Sequence, residues 1–95
     1  MARIRTHPGE IIDQEYLVPL NMSARQLAKA LDVPHNRISE IVAERRGVTA
    51  DTALRLARYF GTDPNFWLNL QAAHDLSKAS AQKDYSTIPE RPHVL

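Results

Sequence analysis

Cysteine is absent from this chain of 95 residues, which excludes disulfides and thiolate metal sites. Long apolar runs are absent too, since stretches such as 16–18 and 66–68 are far shorter than the roughly 20 residues that cross a bilayer. Residues 1–5 carry charge and no apolar segment follows them, so we expect no signal peptide. The prediction is a cytoplasmic protein with no membrane-spanning segment.

The chain has little excess of either charge, with a formal net charge of +1 at pH 7. Composition alone therefore does not indicate a nucleic-acid partner. The distribution is more informative, because five basic and three acidic residues lie between Ser23 and Gly47, whereas three basic and four acidic residues follow from Gly61 onward. The middle of the sequence is the better candidate for contact with a polyanion.

Groups that carry catalysis are not brought together by the sequence pattern. His7, His35, His74 and His93 are scattered, and neither an HExxH motif nor a cysteine pair organises a metal site. The three glycines form no phosphate-binding loop. His7 and Glu10 are better explained as the start of a helix than as metal ligands. We expect no enzymatic activity, no metal and no cofactor.

What the sequence does contain is helical periodicity. Apolar residues recur at spacings of three and four with little period-two alternation, so we predict an all-α fold of five helices around one core. The first helix begins near Pro8 and ends at Val18-Pro19, because proline disfavours helix in the residue before it. The second begins at Ser23, which has the spacing of a capping box with Gln26.

Capping residues also set the later helices. The third helix begins at about His35 and ends before Gly47, which suits a left-handed C-cap. Thr49 is a candidate N-cap for the fourth helix, and Asp63-Pro64 for the fifth. The polar, proline-containing segment 77–95 predicts an extended or flexible tail with a short strand around 85–88.

The second and third helices, with the turn between them, have the pattern of a helix-turn-helix motif. Ala28 permits a close crossing of the two helices, and Val33 fills the turn between them. Ile38 and Ile41 hold the inner face of the third helix to the core, which leaves its polar outer face free to enter a DNA major groove. We assign residues 1–76 to a DNA-binding and dimerisation domain.

The outer face of the third helix carries side chains that can read base edges. Amide, guanidinium and carboxylate groups pair with adenine, guanine and cytosine respectively, and a methyl group can contact thymine. The predicted base-reading residues are Asn36, Arg37, Ser39, Glu40 and Ala43. For Glu40, a salt bridge to Arg37 or Arg45 is an equal alternative.

Six residues around this helix are predicted to contact DNA phosphates: Ser23, Arg25, Gln26, Lys29, Arg45 and Arg46. Each has a simpler explanation as well. Ser23 and Gln26 form a capping box, Arg25 and Lys29 suit any solvated helix face, and basic residues complement a helix C-terminus.

The fifth helix spreads apolar residues over more than one face, which indicates contact with a second subunit. The predicted dimer interface consists of Phe66, Trp67, Leu70 and His74. The alternative for Phe66 and Trp67 is an aromatic pair inside the core. A homodimer would place two recognition helices roughly 34 Å apart on a palindromic operator in double-stranded DNA.

Residues 23–41 and the helix that follows resemble the lambda repressor and Cro class, which implies a five-helix fold. More narrowly, HPGEII at 7–12, PLNMS at 19–23, RLARYFG at 55–61 and PNFWLNLQ at 64–71 resemble the HigA antitoxin family, over about residues 7–76. One departure is Pro34, where a serine or threonine cap usually opens the recognition helix.

This resemblance implies a homodimer that represses its own operon and neutralises a HigB-type toxin, an mRNA endonuclease with a RelE-like fold. The alternatives are a stand-alone helix-turn-helix transcriptional regulator and an adaptor that binds proteins rather than DNA. Residues 1–6 and 77–95 are equal candidates for the segment that holds a toxin.

Overall fold

The computed structural model describes residues 3–92, and over that range it contains helices and turns but no strand. His93 and the outermost ends of the predicted arm and tail lie outside the described residues. In chain order the elements are α1 (Pro8–Ile11), a π-helical segment (Ile12–Leu17), α2 (Val18–Leu20), α3 (Ala24–Leu31), α4 (His35–Val42), α5 (Ala50–Phe60), α6 (Pro64–Gln82) and a 3-10 turn (Tyr85–Thr87). The first three form one continuous helical unit, so the predicted all-α fold of five helices is confirmed.

The core lies where this first unit, α3, α4, α5 and the start of α6 meet. Its fully buried members come from each of them: Ile12, Leu27, Ile38, Ile41, Ala53, Leu56 and Trp67. Burying a large aliphatic or aromatic side chain stabilises the fold by about 1.5–3 kcal/mol relative to leaving it exposed. The inner face predicted for the third helix is therefore confirmed, because Ile38 and Ile41 have no exposed surface.

The close approach of α1 to α4 depends on Gly9. A Cβ atom at this position would overlap the carbonyl oxygen of Ile41, so the backbones can pack together only where a side chain is missing. Nδ1 of His7 accepts a hydrogen bond from the Gly9 N–H at 2.9 Å and caps α1. This segment is thus a helix start, and it packs against α4 on the side opposite the exposed face of that helix.

The predicted end of the first helix at Val18-Pro19 is wrong. The Val18 N–H donates to the carbonyl of Asp13, five residues back, and the helix continues to Leu20 before Asn21 turns left-handed with φ of 51°. The π-helical segment moves the hydrogen-bond partner from the fourth to the fifth residue back. Because of this local change, the helix passes through a proline that has no N–H to donate.

The predicted cap of the third helix at Gly47 is also wrong. The helix ends at Val42, and the left-handed residue that follows is Glu44, with φ of 62°. The Arg45 N–H donates to the carbonyl of Glu40 at 2.9 Å and closes the turn two residues before Gly47. A Cβ atom at Gly47 would lie 3.0 Å from Cδ of Gln71, so this glycine serves a close contact with α6.

Helix α6 is longer than the sequence pattern indicates. Residues 77–82, expected in an extended tail, are helical, and the 3-10 turn at 85–87 replaces the expected short strand. Alanine, lysine and glutamine are good helix formers even without an apolar face. In addition, Oγ of Ser77 accepts a hydrogen bond from the Arg5 N–H at 2.8 Å, which ties this extension to the N-terminal segment.

Candidate nucleic-acid interface

Helices α3 and α4 are joined by a tight turn that is fixed at both ends. At the start of α3, Oγ of Ser23 accepts from the Gln26 N–H at 3.1 Å and Oε1 of Gln26 accepts from the Ser23 N–H at 2.8 Å, so the predicted capping box is confirmed. At its end, Asp32 is left-handed with φ of 58°. Val33 lies partly buried against the core, where it fills the turn.

Pro34 begins α4 through its main chain rather than through a side chain. Its carbonyl accepts from the Arg37 N–H at 3.0 Å, and no side-chain cap is present at this helix start. The departure from a serine or threonine cap therefore leaves α4 as a regular helix that follows α3 directly.

The predicted base-reading residues occupy two different environments. Asn36 in the first turn of α4 and Ala43 directly after the helix are exposed, whereas Ile38 and Ile41 of α4 are buried. Ser39 is half-buried, and its hydroxyl donates to the carbonyl of Asn36 at 3.4 Å. A polar, solvent-facing stripe on the recognition helix is thus present and begins in its first turn.

Arg37 is held by a partner that the sequence pattern did not reveal. It is half-buried, and its Nη1 lies 2.6 Å from Oδ2 of Asp51 at the start of α5. The same Oδ2 accepts from Nε of Arg55 at 3.0 Å. Hydrogen bonds from Arg55 and then Arg37 lower the pKa of Asp51 below its usual value, so the carboxylate stays charged.

Glu40 forms an ion pair, but with neither of the partners suggested by the sequence. Its Oε1 lies 2.7 Å from Nη2 of Arg46 in the loop after α4. The left-handed Glu44 turns the chain back, which brings Arg46 next to Glu40. Arg46 is thus paired within the chain, whereas the ion pairs found over residues 3–92 do not involve Arg45.

The remaining phosphate candidates lie together on the surface of α3. Arg25 and Lys29 are exposed and one helical turn apart, and the exposed Ser23 and Gln26 lie at the start of the same helix. The loop with Arg45 and Arg46 is anchored to α6, because Oε1 of Gln71 accepts from the Val48 N–H at 2.7 Å. The structure therefore places basic side chains both at α3 and beyond the end of α4.

The dimer prediction for Trp67 is corrected by its burial. Trp67 has no exposed surface in the single chain, its indole N–H donates to Oγ1 of Thr62 at 2.7 Å, and its ring lies 5.5 Å from that of Tyr16. It faces inward because α6 packs this side against the first helical unit and α5. Phe66 beside it retains 40% of its surface.

The other two predicted interface residues lie farther along α6 and are half-buried. Leu70 packs partly against the core, and His74 contacts the N-terminal segment. Nδ1 of His74 lies 2.7 Å from the carbonyl oxygen of Arg5, and its ring meets that of His7 edge-on, with centroids 4.8 Å apart.

None of the helices within residues 3–92 combines the length and apolar character that crossing a membrane requires. Within the same residues, acidic and histidine side chains do not gather in groups of three that could hold a metal ion.

A short capped helix, a tight turn and a second helix with a buried apolar side and an exposed polar side define a DNA-binding domain of the helix-turn-helix class. The family model HTH_3, described as helix-turn-helix, matches residues 14–67 of the chain. That match spans more than half of the 95 residues.

Comparison with individual proteins narrows this class. Virulence-associated protein I of Dichelobacter nodosus is 61% identical over 77 residues, which cover 81% of this chain and 71% of the relative. Among solved structures, an addiction module antidote protein of the HigA family from Coxiella burnetii is 47% identical, with a TM-score of 0.82 over 94% of this chain and 100% of the other.

The antitoxin HigA of Pseudomonas aeruginosa, solved with the higBA promoter, is 46% identical, with a TM-score of 0.80 over 83% of this chain and 85% of the other. The chain belongs to the helix-turn-helix family, and within it to the HigA-type proteins. The resemblance drawn from its sequence motifs is thereby confirmed.

Proposed function

We propose that this protein is the antitoxin of a type II toxin-antitoxin module, that it represses its own operon and that it neutralises a HigB/RelE-like mRNA endonuclease. The observation that carries the DNA-binding part is the exposed polar side of α4 with basic residues on both flanks. The relationship to an antitoxin solved with its promoter supports the same role.

In this proposal α4 enters the major groove of double-stranded DNA. Asn36 and Ala43 are the most accessible base readers, and Ser39, Glu40 and Arg37 lie beside them. The phosphates on either side of the groove are contacted from two directions: by Ser23, Arg25, Gln26 and Lys29 of α3, and by Arg45 and Arg46 of the following loop.

A palindromic operator requires two copies of α4 about one turn of DNA apart, and hence a homodimer. We place the dimer contact on α6, at Phe66, Leu70 and His74. Phe66 carries the argument, because a 40% exposed phenylalanine beside the buried Trp67 is apolar surface that the single chain leaves uncovered. DNA binding and dimerisation are thus both assigned to residues 1–76.

The toxin contact is assigned to the segments outside the core. Ile4 before the first helical unit, and Tyr85 and Ile88 after α6, are exposed apolar side chains. Extended segments of this kind can bind along a partner protein. A cytoplasmic location also remains a prediction.

The decisive experiment has two arms. In the first, the purified protein is titrated against its own promoter and against random DNA at several salt concentrations, and specific, salt-sensitive binding is expected. In the second, the product of a neighbouring short gene with a basic, RelE-like sequence is co-expressed with it, and a stable complex that suppresses mRNA cleavage is expected. Specific DNA binding without any such partner would instead establish a stand-alone regulator, and binding to neither DNA would favour an adaptor.

A further inference from the structure

One carboxylate ties together three parts of the DNA-binding motif. Asp51 is the second residue of α5, and its Oδ2 is bonded both to Nη1 of Arg37 at 2.6 Å and to Nε of Arg55 at 3.0 Å. Arg37 belongs to the recognition helix α4 and lies in its first turn. Asp51 therefore fixes a side chain of α4 relative to the next helix.

Arg55 extends this connection to the turn of the motif. Its Nη1 donates to the carbonyl of Leu31 at 2.8 Å and, more weakly, to that of Asp32 at 3.3 Å. These carbonyls end α3 and have no later helical N–H to bond. Through Arg55, the Asp51 carboxylate is thus connected to the end of α3 as well as to α4.

The contact with Asp51 leaves Arg37 able to read a base. A guanidinium group carries five N–H donors in a fixed planar fork, and Asp51 is bonded to Nη1. The opposite edge, formed by Nε and Nη2, keeps two parallel donors that match the O6 and N7 acceptors of guanine. A guanidinium held at one edge loses less freedom when its other edge binds.

Asp51 is unfavourable for DNA binding in general. Its side chain is 57% exposed, and a carboxylate close to the DNA-contacting helix repels the phosphate backbone. Its charge also stabilises the start of α5 through the helix dipole, but that role requires no bond to another helix. The bond to Arg37 therefore calls for a separate explanation.

We propose that Asp51 is a positioning residue for DNA specificity, which holds Arg37 so that its Nε and Nη2 edge reads one guanine of the operator. The inference rests on the proposed DNA-binding function. It assigns Asp51 and Arg55, residues of α5 outside the helix-turn-helix pair, to sequence discrimination.

The test is a double-mutant cycle with Asp51→Asn and Arg37→Ala, measured on the protein's own promoter, on random DNA and on promoters with single base-pair changes. Each single variant is expected to lower the ratio of specific to random affinity about tenfold. The double variant should lose no more than the larger single loss, and both single variants should stop discriminating at the same base pair. Asp51→Asn should bind random DNA as tightly as the unmodified chain or more tightly.

Control variants distinguish a positioning role of Asp51 from a general effect of its charge and from a loss of folding. Glu90→Gln removes one negative charge from the exposed segment after the helices and should leave the specificity ratio unchanged. Thermal unfolding of each variant checks the fold, and if Asp51→Asn fails to fold, Asp51→Ser is carried through the same measurements. Arg55→Lys, which keeps the charge but lacks the planar fork, should show a partial loss of specificity.

Two results would overturn the proposal while leaving the proposed function intact. One is an Asp51→Asn variant that discriminates every base pair as the unmodified chain does. The other is a double variant whose loss is the product of the two single losses, since independent effects multiply. If the unmodified chain itself does not prefer its promoter over random DNA, the proposed function fails and this inference fails with it.

Discussion

Helices α4 and α6 use their apolar residues in opposite ways. In the eight residues of α4, Ile38 and Ile41 are completely buried and the other side is polar. In the 19 residues of α6 only Trp67 is buried, while Phe66 and Leu76 keep 40% and 71% of their surface. A single chain thus completes the packing of α4 but not that of α6, which leaves α4 for polar recognition and α6 for contact with protein.

Trp67→Ala and Phe66→Ala test this difference on neighbouring residues of one helix. Removing the buried Trp67 should lower the free energy of unfolding by about 3–5 kcal/mol, because it leaves a cavity and removes the indole N–H that donates to the hydroxyl of Thr62. Urea denaturation, monitored by circular dichroism because the variant lacks the only tryptophan, measures the change. A loss below about 1 kcal/mol would show that Trp67 is not part of the core.

Gly9→Ala tests the support behind α4. The added methyl group would overlap the Ile41 carbonyl, so α1 must move away from α4, at a cost of about 1–3 kcal/mol of unfolding free energy. Gly61→Ala is the matched control, because Gly61 has φ of 71° and open space around it, and only its backbone strain of about 1 kcal/mol should appear. Equal losses in the two variants would contradict the close-approach account of Gly9.

Arg37→Ala and Lys29→Ala compare a base reader with a phosphate contact. Arg37→Ala should weaken operator binding by about 1–3 kcal/mol and affect random DNA much less. Lys29→Ala should weaken both DNAs alike and reduce the slope of log affinity against log salt by about 1. Fluorescence anisotropy at several salt concentrations separates the two, and equal losses on both DNAs for Arg37→Ala would remove its base-reading role.

Phe66→Ala addresses the apolar surface of α6 directly. Because Phe66 is partly exposed, we expect less than about 1.5 kcal/mol of lost monomer stability but a dimer weakened by about 1–2 kcal/mol. Sedimentation equilibrium measures the dimer dissociation constant. Leu76→Ala serves as a second exposed position on α6, outside the predicted interface, and should leave that constant unchanged.

The smallest expected effect is a pH dependence from His7. Burial, followed by the nearby His74, lowers the pKa of His7 below its ordinary 6.5, although Glu44 and Asp75 oppose this. As the pH falls, the unfolded chain therefore takes up a proton at a higher pH than the folded chain does. The stabilisation that the neutral His7 provides is complete above pH 6.5 and declines as the pH falls, with a slope of at most about 1.4 kcal/mol per pH unit.

His7→Asn isolates this contribution. Asparagine still accepts the N-cap hydrogen bond but does not titrate. Urea denaturation between pH 7.5 and 5 should give a flatter profile for the variant than for the unmodified chain. Identical profiles would show that His7 is not the group responsible.

Local chemistry made much of this molecule predictable. The capping box at Ser23 depends on residues three apart, and the burial of Ile38 and Ile41 depends on helical period, so both are visible in the sequence. The π-helical segment and the left-handed Glu44 were missed, because each is a backbone adjustment with no strong residue signature. Gly47 suggested a C-cap, but its role is contact with Gln71, 24 residues later.

The contacts of the candidate site were predictable only in part, because several of them depend on a backbone turn or on packing between helices. The outward position of Asn36 follows from the helical wheel. The ion pair of Arg37 with Asp51 joins two helices, and the pairing of Glu40 with Arg46 depends on the turn at Glu44. The burial of Trp67 depends on how α6 meets Tyr16 and Phe60, which periodicity within one helix does not encode.

The central claim is that the exposed side of α4 reads a specific DNA sequence. Its most direct test is a mobility-shift titration of the purified protein against its own promoter, with random DNA as competitor and salt varied. The account predicts a discrete complex that survives excess random DNA and weakens steeply with salt. The account would be contradicted if random DNA displaced the labelled promoter at the same concentration as unlabelled promoter DNA does.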